Sequence, residues 1–324
     1  MNANFVARDI CPACAREGGL EVYRQPYADE SLRDYLAEFY GAQGTPDLSR
    51  LECQDFVLRR CGACGLIFQA EIPGPDFMVE IYEKWIDPRI TLERREKQRS
   101  LGYFTHLSTE ALRFLRLFDR PPAELVILDY SMGWGHWCRA ASAFGCTVHG
   151  SEYSASRVAY AREHGATVVD ADQLEAGRYD AINAEQVFEH LPDPRQTLQR
   201  LSVALAPHGW LRLAVPDGRD AMQLLRDPDW SAPRGTHRSM VSVAPLEHIN
   251  CFGRESLEAM ARDSGLHPAS APPECRYVIV PNSVLGLIKA CLRPAWHAVR
   301  RSPSRQIEMY FRHTGSVTPP RGPS

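Results

Sequence analysis

From residue 124 onward the apolar positions come in short runs separated by stretches of helical spacing. The runs are "LVILDY" (125–130), "CTVHGSEY" (146–153), "TVVDAD" (167–172), "YDAINAE" (179–185) and "WLRLAVP" (210–216). Short apolar strands alternating with helices predict an α/β fold, a doubly wound Rossmann-like sheet, mostly parallel, with helices on both faces. The punctuation agrees. Ser154 is placed to cap "ASRVAYAREH", which Gly165 ends. Asp193 stands as N-cap of the next helix, with Pro194 in its first position and Gln196 as reciprocal capping partner. Leu198, Leu201 and Leu205 supply its buried stripe.

Upstream the pattern changes. Residues from Asp76 to Arg120 read as charged helices, with Leu112, Leu115 and Phe118 forming a packing face and "DRPPAEL" breaking the run. Before them come a helix, "DESLRDYLAEFYG", and a strand, "FVLRRC". The expected organisation is a Cys-knuckle module (1–75), a helical connector (76–121), the α/β core (122–271) and a basic C-terminal segment with a disordered tail (272–324).

Composition narrows the classes. The 324 residues are 44% hydrophobic and 24% charged with a net charge of -3, so nothing global draws the chain to nucleic acid or an anionic membrane. The longest apolar stretch, "YVIVPNSVLGLIKACL", is broken by Pro281, Asn282 and Lys289, so no transmembrane segment is expected. The N-terminus lacks a secretory pattern, and the expected location is cytoplasmic. There, ten cysteines do not make a disulfide framework. Cys11 and Cys14 form one CxxC knuckle, Cys61 and Cys64 another, and such a pair lets four thiolates converge on one structural Zn²⁺. The basic segment after Ser283 leaves a weak expectation of peripheral membrane contact.

In an open α/β sheet, ligands sit where strand carboxyl ends meet helix N-termini. That places the functional residues at Asp129–Gly135, Glu152, Asp170–Asp172 and Glu185–His190. Glu152 ends the second strand, where a carboxylate accepts ribose hydroxyl protons. The dinucleotide fingerprint fails, because Cys138 stands where its third glycine belongs, and no Lys-Ser/Thr follows the loop as a P-loop requires.

The order "LDYSMGWGHW", "GSEYSASRVAYAREHGA", "RYDAINAEQVFEHLPDPRQTLQRLSVALAPHGWLRLAVPD" and "EHINCFGRESLEAMARDSGL" resembles the successive motifs of class I S-adenosylmethionine-dependent methyltransferases. With its Cys-knuckle module the chain is similar to methyltransferases of sugar, polysaccharide and natural-product pathways. The resemblance implies that Asp129, Ser131, Gly133 and Gly135 hold the methionine end of S-adenosylmethionine. It puts Glu152, with Tyr153, on the ribose, Asp170 at the adenine amino group, and Glu185 and Gln186 along the methionine moiety. Ser131 replaces the family's usual glycine, and the loop is expected to function without positive φ there.

Transfer to a hydroxyl, or to a carbon beside a carbonyl, needs a base. His190, Glu247 and His248 are the candidates, although the preferred reading of Glu189 and His190 is that they hydrogen-bond backbone and fix their loop, and Glu247 and His248 share that ambiguity. The long stretch between Asp217 and Glu247 reads as a lid or acceptor pocket carrying Trp230, Arg234 and His237. The expected function is methylation of a small-molecule or saccharide acceptor at oxygen or carbon. Two alternatives compete. One is an RNA methyltransferase gripping RNA through the ribbon, opposed by a first 75 residues rich in acids and free of lysine. The other is a scaffold that keeps the fold without the reaction.

Overall fold

The computed structural model describes residues 4–271 and 306–314. The N-terminal part opens with β1 (Phe5–Ala7), β2 (Leu20–Pro26) and helix α1 (Glu30–Gly41), then β3 (Asp55–Arg60), β4 (Ile67–Gln69) and β5 (Glu71–Pro73). Asp29 caps α1 by accepting from the Ser31 amide. The connector contributes α2 (Pro75–Glu80), a π-helical turn over Ile81–Trp85, α3 (Pro88–Lys97) and α4 (Leu101–Leu115). On α4 the buried residues are Ala111, Phe114 and Leu115. Leu112 is only partly buried, and Phe118 lies beyond the helix end, so the expected face is rotated.

The core follows the predicted alternation: β6 (Val126–Tyr130), α5 (His136–Ser142), β7 (Thr147–Ser151), α6 (Ala155–Glu163), β8 (Thr167–Val168), β9 (Tyr179–Glu185), α7 (Pro194–Ala204) and β10 (Leu205–Pro216). After it come α8 (Ala221–Leu224), β11 (Asn250–Cys251), α9 (Arg254–Asp263), β12 (Leu266–Ala269) and β13 (Gln306–His313). Asp193 caps α7 through the Gln196 amide, whereas the Ser154 hydroxyl meets that of Ser156 at 3.1 Å and caps no backbone amide of α6. Leu205 lies past the end of α7 and opens β10, buried all the same.

The main sheet has seven strands in the order β12-β13-β10-β9-β6-β7-β8. Strands β10, β9, β6, β7 and β8 are mutually parallel, and β13 runs antiparallel between β10 and β12. This is the expected α/β class with a mostly parallel sheet. The end of the expected basic segment thus supplies an interior strand. "QIEMYFRH" alternates, and Ile307, Met309 and Phe311 enter the same core as Leu211 and Leu213. The rest of the expected basic segment and tail, including Lys289, lies outside the described residues.

Packing crosses the expected boundaries elsewhere too. A second hydrophobic cluster joins Tyr27, Leu36, Tyr40, Phe56 and Trp85 to Trp230, Met240, Val243 and Leu246. The stretch expected as a lid therefore folds into the N-terminal part's own core. A four-stranded antiparallel sheet, β11-β4-β3-β2, carries the union into the backbone, because β11 belongs to the core's half of the sequence.

Candidate functional site

Parallel pairing brings the ends of β8, β7, β6 and β9 to one edge of the sheet, as the register Asp129↔Gly150 and Asp129↔Asn183 shows. The loop after β6 is tightly wound. Ser131, Gly133 and Gly135 have φ of 61°, 58° and 71°. Ser131 thus does take the left-handed conformation, contrary to expectation, at a cost of about 1–2 kcal/mol for a residue with a Cβ. Gly135 has a second reason to be glycine: a Cβ there would lie 3.1 Å from that of Ala161. The Gly133 amide donates to Glu152 Oε2 at 3.0 Å, while Glu152 Oε1 accepts from the amides of Tyr153 and Ser154 at 2.9 and 3.0 Å. Glu152 therefore ties the glycine loop to the head of α6.

Asp129 is buried beneath this loop. It accepts from Asn183 Nδ2 at 2.8 Å, and burial pushes its carboxyl up to about 7. Asn183 in turn accepts from Arg212, whose guanidinium also meets Glu185 at 3.1 Å, Glu308 at 3.0 Å and Glu110 at 3.2 Å. Burial works against the charge on Glu185, but Arg212 outweighs it and holds that carboxyl below its ordinary range. Gln186 follows with φ of 55° and an amide bonded to Ala214.

The other expected contacts are placed less simply. Asp170 is exposed, and its oxygens accept from the Asp172 amide and Gln173 Nε2, both at 2.9 Å. Tyr153 is 60% exposed and reaches the Tyr130 hydroxyl at 3.2 Å. Trp230 is buried, donating to Gln25 at 2.9 Å, and Arg234 lies over the Phe39 ring at 4.1 Å. Trp230 is thus part of the core, whereas Arg234 is exposed and its charge reaches Glu247.

His190, Glu247 and His248 do come together. Their rings lie 4.8 Å apart for the two histidines, and His190 Nδ1 sits 2.9 Å from the Glu247 carbonyl and 3.1 Å from the Tyr82 hydroxyl. Burial lowers His190 to about 4 and His248 well below its ordinary value, so both rings are neutral near pH 7. Burial raises Glu247 to about 7 against the opposing pull of Arg234, and Glu189 to about 8. Tyr82 carried no sequence signal, since its place depends on the π-helical turn. Nor did Asn250, whose side-chain amide donates to the carbonyls of Phe188 and Leu191 at 3.0 and 2.7 Å and so brackets Glu189 and His190. Its carbonyl oxygen accepts from Arg8 at 2.8 Å.

At the far end, one sulfur from each of Cys11, Cys14, Cys61 and Cys64 lies within 4.8 Å of the others, and the cysteines are free of disulfides. The Cys11–Cys64 and Cys14–Cys61 separations are both 3.6 Å. Four sulfurs at these distances are compact enough for tetrahedral coordination, with no position left for water.

The pattern of the methyltransferase domain family matches residues 103–271, just over half of the chain. The chain belongs to the class I S-adenosylmethionine-dependent methyltransferases. Curated relatives named "Ubiquinone biosynthesis O-methyltransferase" match this methyltransferase over a limited stretch. That of Bordetella avium is 26% identical over 44% of this chain and 62% of its own length. That of Nitrobacter winogradskyi is 32% identical over the same two shares. The match thus spans less than two thirds of these relatives. Among solved structures, the plantazolicin methyltransferase BpumL in complex with SAH aligns with a TM-score of 0.46 and 14% identity, covering 73% of this chain and 94% of that one.

The buried Asp129 of the methyltransferase gives a pH signature. Its folded value of about 7 stands above the ordinary 3.8, so between those values folding must take up a proton that the unfolded chain has lost, a penalty that grows with pH and is constant above about 7. Asp129→Asn, which keeps the bond to Asn183, should gain stability relative to wild type as pH rises from about 4 to 7 and then level off. Urea unfolding across pH 4–9 measures this; a difference that does not change with pH contradicts it.

Proposed function

We propose that the chain transfers the methyl group of S-adenosylmethionine to a small hydroxylated acceptor, a sugar or saccharide intermediate, at oxygen or at a carbon beside a carbonyl. The sulfonium supplies an already activated methyl group, so the protein's task is alignment and deprotonation. Alignment of this kind is worth about 7–11 kcal/mol. In this reading the left-handed turn of Ser131, Gly133 and Gly135 lets the backbone approach the methionine end, and Asp129 answers its ammonium group. Glu152 turns toward the ribose, Tyr153 flanks it, and Asp170 meets the adenine. Glu185 and Gln186 line the methionine.

The observation that carries the acceptor side is the part-buried Glu247 beside two neutral imidazoles. A carboxylate poised near neutrality is suited to accept the acceptor's proton. Burial disfavours the imidazolium form of His190 and His248, and in this reading they line the acceptor position as neutral groups. This polar lining of Glu247, His190, His248 and Tyr82 favours an acceptor rich in oxygen. A second reading, a phenolic hydroxyl, draws on the relatives named for ubiquinone biosynthesis. The RNA and scaffold readings gain no support from the site. The four thiolates fit a structural Zn²⁺ that would hold Cys11–Cys14 against Cys61–Cys64.

Calorimetric titration tests the cofactor site. Glu152→Ala should weaken S-adenosylmethionine binding at least about tenfold, the loss of two charge-assisted hydrogen bonds. Unchanged affinity contradicts the assignment. Incubation with labelled cofactor and keto-sugar nucleotides, with simple catechols in parallel, separates the two acceptor readings by which product gains the label. Elemental analysis of purified protein should give about one zinc per chain, lost on Cys61→Ser; a metal-free chain that folds normally contradicts the zinc.

A further inference from the structure

Glu189 is the anomaly of the site. Its side chain is 1% exposed, and neither carboxylate oxygen meets a hydrogen-bond donor from another residue. Buried polar groups are almost always partnered by protein, water or an ion, because an unpartnered one is costly. What lies near Glu189 is a pair of imidazoles, those of His190 and His248.

The tautomers follow from the backbone. His190 Nδ1 lies against the Glu247 carbonyl, and His248 Nδ1 against the Val241 carbonyl. A carbonyl can only accept, so each Nδ1 carries the proton and each Nε2 presents a lone pair. His190 Nε2 is 3.7 Å from Glu189 Oε1, too far for a hydrogen bond even from a protonated carboxyl. The two rings meet at 75°, and one ligand atom from each of Glu189, His190 and His248 lies within 4.8 Å of the other two. One potential ligand atom from each of the three residues is thus gathered in a single small cluster, and no hydrogen bond joins Glu189 to either imidazole. Each imidazole donates its other N–H to a backbone carbonyl, the orientation that metal-binding histidines usually have. Asn250 clamps the Phe188–Leu191 turn that carries two of the three, and Leu246, with φ of 69°, sets the entry to the third.

We propose that Glu189, His190 and His248 bind one divalent first-row transition cation, distinct from the metal of the cysteine cluster. Two imidazoles and a carboxylate suit Mn²⁺, Fe²⁺, Co²⁺ or Zn²⁺ better than Mg²⁺ or Ca²⁺, which favour all-oxygen sets. Three protein ligands leave coordination positions open. Resting on the function proposed above, those positions would take an oxygen of the acceptor, holding it beside Glu247 and lowering the pKa of an acceptor hydroxyl.

The test uses the zinc-loaded full chain titrated with Mn²⁺, which the soft thiolates select against. Electron paramagnetic resonance reads the free ion. Wild type should bind one Mn²⁺ per chain, and Glu189→Gln and His248→Asn should each weaken it by about tenfold or more, with the zinc content unchanged. No saturable Mn²⁺ binding by wild type overturns the site, and so does binding of wild-type strength in the variants. If Glu189→Gln does not fold, the wild-type stoichiometry and His248→Asn decide alone. Calorimetry with S-adenosylmethionine runs alongside. Mn²⁺ bound without cofactor affinity sinks the methyltransferase reading and spares the cation site, and cofactor bound without Mn²⁺ does the reverse.

Discussion

The guanidinium of Arg8 holds the two halves of the molecule together. It donates to the Gln69 carbonyl at 3.0 Å, the Ile249 carbonyl at 2.6 Å and Asn250 Oδ1 at 2.8 Å, all in buried surroundings. Burial lowers its pKa to about 9, so the charge is tolerated only because these acceptors converge on it. Asn250 belongs to the strand that the core lends to the N-terminal sheet, and Ile249 immediately precedes it. The third is the carbonyl of Gln69, whose side chain reaches back to the Ala244 and His248 carbonyls at 3.3 Å. Through Asn250 the same anchor sets the turn that carries Glu189 and His190. The cysteine module thereby becomes a wall of the site, not an appendage to it.

A second buried cation organises the other side. Arg212 lies in the interior of the sheet, 4% exposed by side chain, among carboxylates from α4, β9 and β13. Arg113 shares two of these partners, at 2.7 Å from Glu110 and 2.9 Å from Glu308. Breaking such a network by removing one member typically costs about 3–5 kcal/mol. It binds the connector helix and the C-terminal strand to the base of the loop that begins at Asp129, through Asn183. The two cations divide the work: Arg8 sets the turn that carries Glu189 and His190, and Arg212 supports the base of the loop after β6.

Much of this was legible in the sequence wherever a local rule sufficed. Strand and helix periodicity gave the core, the Asp193 cap was read correctly, and the CxxC spacing brought together four sulfurs that do meet. The order of motifs pointed to the family. Long-range partners carried no such signal. Tyr82 reaches His190 from 108 positions away because a π-helical turn aims it there, and Arg8 finds Asn250 across 242. Trp230 resembled a loop contact since neither its depth nor its packing on Tyr35 and Phe56 can be read locally. The strand Gln306–His313 was obscured by the basic residues before it, although its own alternation was present. Ser131 shows the limit of residue preference, because the loop imposes a left-handed backbone on a residue that disfavours it.

A crystal structure of the chain with S-adenosylhomocysteine tests the central claim most directly. The account predicts the ribose against Glu152, the amino-acid end over the turn from Ser131 to Gly135, and the sulfur directed toward the side of the cleft that carries Glu247. Product bound at any other edge of the sheet, or that turn closed on itself with the product excluded, would contradict it.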